Sequence, residues 1–203
     1  MPMSEKNRQT IHNRVICISG LAGTGKSTLS KKIAEKYQLK YFSGGDALKD
    51  IAQQQGYKIS GQGWWESPVG IDFLKKRASD PKFDKAVDEK MLEYAAQGNV
   101  LLDSWTMPWL LKDGFKIWLE ASFENRATRV AERDKITYEE AIKMLQEKEA
   151  RTKAIYRKLY GFVLGEDMAP FDFILDTNNL NADEVFSVLC KVINNMVLSS
   201  LSV

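Results

Sequence analysis

Short apolar runs alternate with amphipathic stretches along most of the chain. Val15-Ile16-Cys17-Ile18-Ser19 is a continuous apolar run ending at a glycine, the pattern of a buried strand. Ser27 to Leu39 then carries apolar residues at helical spacing: Leu29, Ile33, Ala34 and Tyr37. Tyr41–Ser43 reads as a second strand, followed by a helix from Asp46 to about Gln54. Residues 55–68, rich in Gly, Gln, Ser and Trp, read as a loop or insertion, with helical segments expected around Ile71–Arg77 and Lys82–Gln97. Asn99–Asp103, Phe115–Leu119 and Phe171–Asp176 supply three further strands. Helices are expected over Phe123–Arg133, from the capping-box spacing Thr137-Tyr138-Glu139-Glu140 toward Tyr160, and over Ala182–Met196. Strands alternating with helices, several strands being nearly all apolar, specify an α/β fold with a parallel sheet covered on both faces.

Composition narrows what such a fold can do. The 203 residues suffice for a single domain with one sizeable core. With 29 Lys and Arg against 27 Asp and Glu there is no basic excess, which argues against a nucleic-acid partner. No run reaches the length a membrane span needs, and the polar stretch from Met1 to Arg14 has no secretory core. One histidine (His12, in a polar stretch expected to be disordered) and two cysteines (Cys17 and Cys190) exclude a zinc site, a disulfide framework and a histidine-driven triad. Unpaired cysteines without an export signal fit a cytoplasmic protein. Any chemistry must rest on carboxylates, Lys, Arg, backbone amides or a borrowed metal.

Gly20-Leu21-Ala22-Gly23-Thr24-Gly25-Lys26-Ser27 satisfies G-x-x-x-x-G-K-[ST] in full, between an apolar strand and a helix. Chance would produce the pattern in roughly 1% of chains this long, so the match identifies a nucleotide-binding loop. Its glycines let successive N–H groups face phosphates, and the helix N-terminus adds partial positive charge. Gly20, Gly23, Thr24, Gly25, Lys26, Ser27 and the adjacent Thr28 are therefore the expected ATP-binding residues, Lys26 reaching the β- and γ-phosphates and Ser27 holding Mg²⁺. Asp103, ending the third strand, is the candidate metal-side carboxylate, with a solvated strand-end acid as the alternative.

These residues, in this order, resemble the nucleoside-monophosphate kinases, most closely the archaeal-type cytidylate kinases, from about Arg14 to Leu189. Ser43-Gly44-Gly45-Asp46-Ala47-Leu48-Lys49 is similar to the family's S-T-G-D-x-L-R segment. Val100 to Trp109 resembles its strand running into E-x-R-x-x-G-W, and Tyr156 to Gly161 its R-Y-x-x-x-Y-G. The resemblance implies a P-loop NTPase three-layer fold with a five-stranded parallel sheet. It also implies a core of about 14–45, 98–122 and 168–198, a helical acceptor-binding segment of about 46–97, and a lid of about 123–165. Arg126, Arg129 and Arg133 would be lid cations for the γ-phosphate, the alternative being a solvated basic face. Donor-base contacts would come from the loop around Thr177 to Leu180.

Two departures shape the expected acceptor. Lys49 and Trp105 stand where the family carries arginines, so two forked phosphate ligands are replaced by a point charge and an aromatic ring. Lys49, Trp65, Arg77, Trp105 and Arg157 are the expected acceptor-binding residues, against a packing role for the tryptophans. Trp118 reads as core. A small phosphorylated alcohol is then the expected acceptor, as in the mevalonate 3-phosphate 5-kinases, a deviating branch of this group that makes mevalonate 3,5-bisphosphate for isoprenoid biosynthesis. Asp46 would be its general base, or alternatively an N-cap. The other readings are a cytidylate kinase and a nucleotide-binding switch with no small acceptor; the chain would act as a monomer or homodimer.

Overall fold

The structure, a computed structural model, describes residues 14–59, 64 and 67–198. His12 and Trp65 lie outside the described residues. Five strands, β1 (Val15–Ser19), β2 (Lys40–Ser43), β3 (Val100–Asp103), β4 (Phe115–Glu120) and β5 (Phe173–Asp176), form one parallel sheet of order β2-β3-β1-β4-β5. The helices are α1 (Lys26–Tyr37), α2 (Gly44–Gln54), α3 (Pro68–Ser79), α4 (Lys82–Gln97), α5 (Met107–Leu110), α6 (Phe123–Asp134), α7 (Tyr138–Tyr160) and α8 (Ala182–Ile193). A π-helical turn, Asn194–Leu198, continues α8 where one uninterrupted helix to Met196 was expected. The short helix α5 was not anticipated.

Strand alternation sorts the core into two layers around the sheet. Ile16, Ile18, Leu101, Ile117 and Leu119 point to one face and pack with α1 and α8 through Leu29, Ile33, Leu189 and Ile193. Cys17, Val100 and Leu102 point to the other, against α2, α3 and α4 through Leu48, Phe73, Phe83, Val87 and Met91. Trp118, fully buried, packs on that side with Ile155, Tyr156 and Phe162. The result is the P-loop NTPase three-layer arrangement of a parallel sheet between helical layers.

Local signals explain the longer helices. Thr137 and Glu140 form a reciprocal capping box at the start of α7, and Asn181 and Glu184 another at α8. α1 differs: its N-cap is Gly25, with no side-chain cap and no acidic residue in its first turn. The backbone N–H groups there remain available for an anion.

Parallel register sets the geometry of the sheet's C-terminal edge. Ile18 of β1 and Ser43 of β2 both stand opposite Asp103 of β3. The phosphate loop after β1, the entry to α2 and the carboxylate ending β3 thus emerge side by side, where open α/β sheets collect ligands.

Candidate functional site

The loop from Gly20 to Gly25 curls tightly around its own carbonyls. Thr24 donates through its hydroxyl to the Leu21 carbonyl at 2.9 Å, so this buried side chain shapes the turn. Gly23 has φ +86°, and a Cβ there would lie 2.7 Å from the Arg126 carbonyl oxygen. A Cβ on Gly20 would lie 2.6 Å from the Leu119 carbonyl oxygen. Both positions therefore require glycine for close backbone approach.

Lys26 and Ser27 face a cleft of about 340 Å³ that runs on to Asp46, Lys49, Arg77 and Asp103. Gly23 also lines it, whereas Thr28 is exposed on α1 outside the lining. Asp103 is 4% exposed and accepts a hydrogen bond from the Tyr41 hydroxyl at 3.1 Å. Burial, reinforced by the Asp103 charge, pushes that hydroxyl above the ordinary tyrosine range, so Tyr41 stays a donor. Among the described residues no group of three or more His, Cys, Asp or Glu could hold a metal. The Ser27 hydroxyl and Asp103 carboxylate are nevertheless hard oxygen donors on one cleft, a set that fits Mg²⁺ shared with substrate phosphates.

The acceptor-side residues divide. Asp46 sits in the first turn of α2, its side chain 62% exposed and one oxygen 4.0 Å from the Lys49 ammonium. It is not the N-cap: Ser43 is, accepting from the Asp46 N–H at 3.2 Å. Arg77 is 4% exposed, and its Nε and Nη2 fork onto Asp84 while Nη2 also donates to the Tyr156 hydroxyl at 3.0 Å. Arg77 lines the cleft, and among the described residues no hydrogen bond engages its Nη1. Arg157 does not reach the cleft. It lies on the exposed side of α7, because Tyr156 takes the inward position of that turn.

Sequence reasoning missed the acids beneath Arg77. Asp84 and Asp88 share the buried face of α4 with Phe83, Val87 and Met91, so two acids interrupt an apolar stripe. Asp88 accepts hydrogen bonds from the Thr106 hydroxyl at 2.5 Å and from the Tyr160 hydroxyl. Burial pushes its carboxyl up to about 6, although both hydroxyls pull it down.

Two of the three expected lid arginines serve the scaffold. Arg126 is buried, paired with Glu149 of α7, and donates to the carbonyls of Ala121 and Ala22. Arg129 donates to the Thr177 carbonyl at 2.8 Å, fixing the loop after β5. Only Arg133 of the three lines the cleft, where it also pairs with Asp134. Lys148 of α7, absent from the sequence-based set, lines it too.

The described tryptophans do not form an acceptor wall. Trp64 is fully buried among Phe73 and its neighbours, its indole N–H donating to the Lys58 carbonyl at 3.0 Å. Trp109 stacks on Phe162 and donates to Asp167. Trp118 is core, as its run of apolar neighbours indicates, and donates to Glu120 at 2.6 Å. Trp105 lines the cleft but on the donor side, its N–H donating to the Gly20 carbonyl at 2.7 Å.

Residues 15–179 match the model of the cytidylate kinase-like family. A cytidylate kinase from Pyrococcus horikoshii is 34% identical over 183 residues, covering 90% of this chain and 89% of that protein. One from Methanocaldococcus jannaschii is 33% identical, covering 90% and 98%. Among solved structures, shikimate kinase from Bacteroides thetaiotaomicron has the same fold, with a TM-score of 0.55 at 14% identity, covering 90% of this chain and 98% of that one. These relatives overturn the expectation of a mevalonate 3-phosphate 5-kinase in isoprenoid biosynthesis. That expectation rested on the two missing arginines and on tryptophans lining the acceptor; of the described tryptophans, Trp64 is buried, Trp109 stacks on Phe162 and Trp105 bonds to the phosphate loop.

Proposed function

Because the chain belongs to the cytidylate kinase-like family, we propose that it transfers the terminal phosphoryl group of ATP to a nucleoside monophosphate, with cytidylate as the acceptor. The supporting observation is the continuity of the cleft, in which Lys26 and Ser27 share one space with Lys49 and Arg77. In this reading residues of about 46–97 carry the acceptor side, about 123–165 act as the lid, and about 14–45, 98–122 and 168–198 form the core. No helix among the described residues is long and apolar enough to cross a membrane, and a cytoplasmic location suits the ATP it consumes.

Phosphoryl transfer asks the protein for positioning and charge neutralisation. The N–H groups at the start of α1 and the Lys26 ammonium bind the donor phosphates. Ser27 and Asp103 would hold Mg²⁺, which would supply charge neutralisation on the transferring group. Lys49 and Nη1 of Arg77 take the acceptor phosphate, whose oxygen is already anionic and needs no base. Asp46 then orients Lys49.

ADP release measured with MgATP and a panel of CMP, dCMP, UMP, AMP and a phosphorylated alcohol tests the reading. Turnover with CMP is expected. Turnover with the alcohol and with none of the nucleotides sinks it.

A further inference from the structure

Trp105 follows β3 and reaches across to the phosphate loop after β1. Its indole N–H donates to the carbonyl of Gly20, the first residue of that loop, at 2.7 Å. Its ring lies 5.5 Å from the Lys26 ammonium and 5.9 Å from that of Lys148 on α7. The ring is half-buried and packs against the two apolar clusters to which Leu21 and Ala22 of the loop belong. One side chain therefore grips the loop's main chain and presents a π-face to its lysine.

Both contacts restrict what would otherwise move. A lysine has four rotatable bonds, and an ammonium over a phosphate site is strongly hydrated when no ligand is present. An aromatic face attracts the cation and excludes water from one side of it. The bond to Gly20 fixes the ring relative to the backbone amides that would receive the phosphates. An arginine here, which the family resemblance leads one to expect, would instead add a third positive charge beside Lys26 and Lys148.

We propose that Trp105 is a positioning residue for the phosphate donor, holding Lys26 over the loop so that the ammonium meets the terminal phosphate without searching for it. It acts through Lys26 and does not read the acceptor. This inference rests on the reading of the loop as the ATP site.

A double-mutant cycle on donor binding tests it, with the β,γ-imido analogue of ATP and Mg²⁺ titrated by calorimetry in the absence of acceptor. Trp105→Leu is expected to weaken binding about tenfold when Lys26 is present, and to change it by less than about twofold in a Lys26→Met background. Trp105→Phe keeps a ring but loses the N–H donor, so its loss is expected at about threefold, again only with Lys26 present. If Trp105→Leu fails to fold, the Phe variant carries the same cycle.

Equal losses in both backgrounds would overturn the proposal, because a merely structural tryptophan acts independently of the lysine. So would donor binding untouched by either substitution, or an effect confined to the KM of CMP. In those cases the ATP-site reading survives, since the unmutated protein still binds the analogue. Failure of the unmutated protein to bind it removes both.

Discussion

Arg126 and Glu149 form a buried ion pair between α6 and α7, and the same guanidinium donates to the Ala22 carbonyl at 3.1 Å. The pair thus ties both helices of the proposed lid to the phosphate loop. Removing one partner leaves a charge in a poorly solvated site, which costs far more than the pair itself contributes. Glu149→Ala is expected to destabilise the protein by about 3–5 kcal/mol. Glu149→Gln, which keeps an acceptor oxygen for the arginine, should cost less. Urea unfolding decides this, and a Glu149→Ala loss below about 1 kcal/mol contradicts the burial argument.

Asp88 makes stability depend on pH in the direction opposite to an exposed, salt-bridged acid. Its carboxyl is pushed up to about 6 in the fold from 3.8, so between those values the folded protein holds more protons than the unfolded chain. Stability from this group is full below pH 4 and declines as pH rises through 6, by roughly 2–3 kcal/mol. Asp88→Asn should remove that decline and be the more stable protein at pH 8. Parallel stability curves for the two proteins between pH 4 and 8 would count against the assignment.

Gly23 has no room for a side chain. Gly23→Ala places a Cβ against the Arg126 carbonyl in a left-handed conformation, at a cost of about 1–3 kcal/mol. Because the strain falls in the loop that receives the phosphates, MgATP affinity should drop along with thermal stability. Unchanged ATP affinity would show that the loop accommodates the methyl group elsewhere.

The acceptor's chemistry can be read from Asp46. A phosphate oxygen attacks unaided, so Asp46→Asn should leave kcat with CMP within about threefold of the starting protein. A fall of about 100-fold or more would mean that a proton must be removed, and so that the true acceptor group is neutral.

Lys49 offers a point charge where the family resemblance leads one to expect a fork. Lys49→Arg restores bidentate geometry and should lower the KM for CMP several-fold with little change in kcat. A rise in KM would show that the pocket around Lys49 is shaped for the ammonium.

The fold was readable in the chain because its strands are apolar runs whose ends coincide with glycines or acids. β1 and the helix α4 fall where the pattern places them. The phosphate loop was readable for a related reason: its function rests on main-chain amides, two strict glycines and one lysine, all within eight consecutive residues. Arg126 was not readable, since its burial depends on Glu149 in the next helix and on a carbonyl far away in sequence. The tryptophans misled for the same reason. Trp64 and Trp105 look alike in sequence, but Trp64 is buried against Phe73 with its N–H on the nearby Lys58 carbonyl, whereas Trp105 reaches the Gly20 carbonyl far away in sequence. Asp84 and Asp88 did leave a trace, as acids on an apolar helical stripe.

The alignment of Ile18 and Ser43 with Asp103 divides the enzyme into parts with different tolerance to change. The spacing between the phosphate loop, the Asp103 carboxylate and α2 is fixed by main-chain hydrogen bonds of adjacent strands, which depend little on side-chain identity. The opposite wall is held by side-chain contacts: Lys49 with Asp46 inside α2, Arg77 with Asp84 between α3 and α4, and Asp88 with Thr106 before α5. If that wall binds the acceptor as proposed, substitutions there change what the protein phosphorylates and leave the strand register beneath the phosphate loop in place. Acceptor choice is therefore the property that a lineage of such proteins can exchange without rebuilding the sheet.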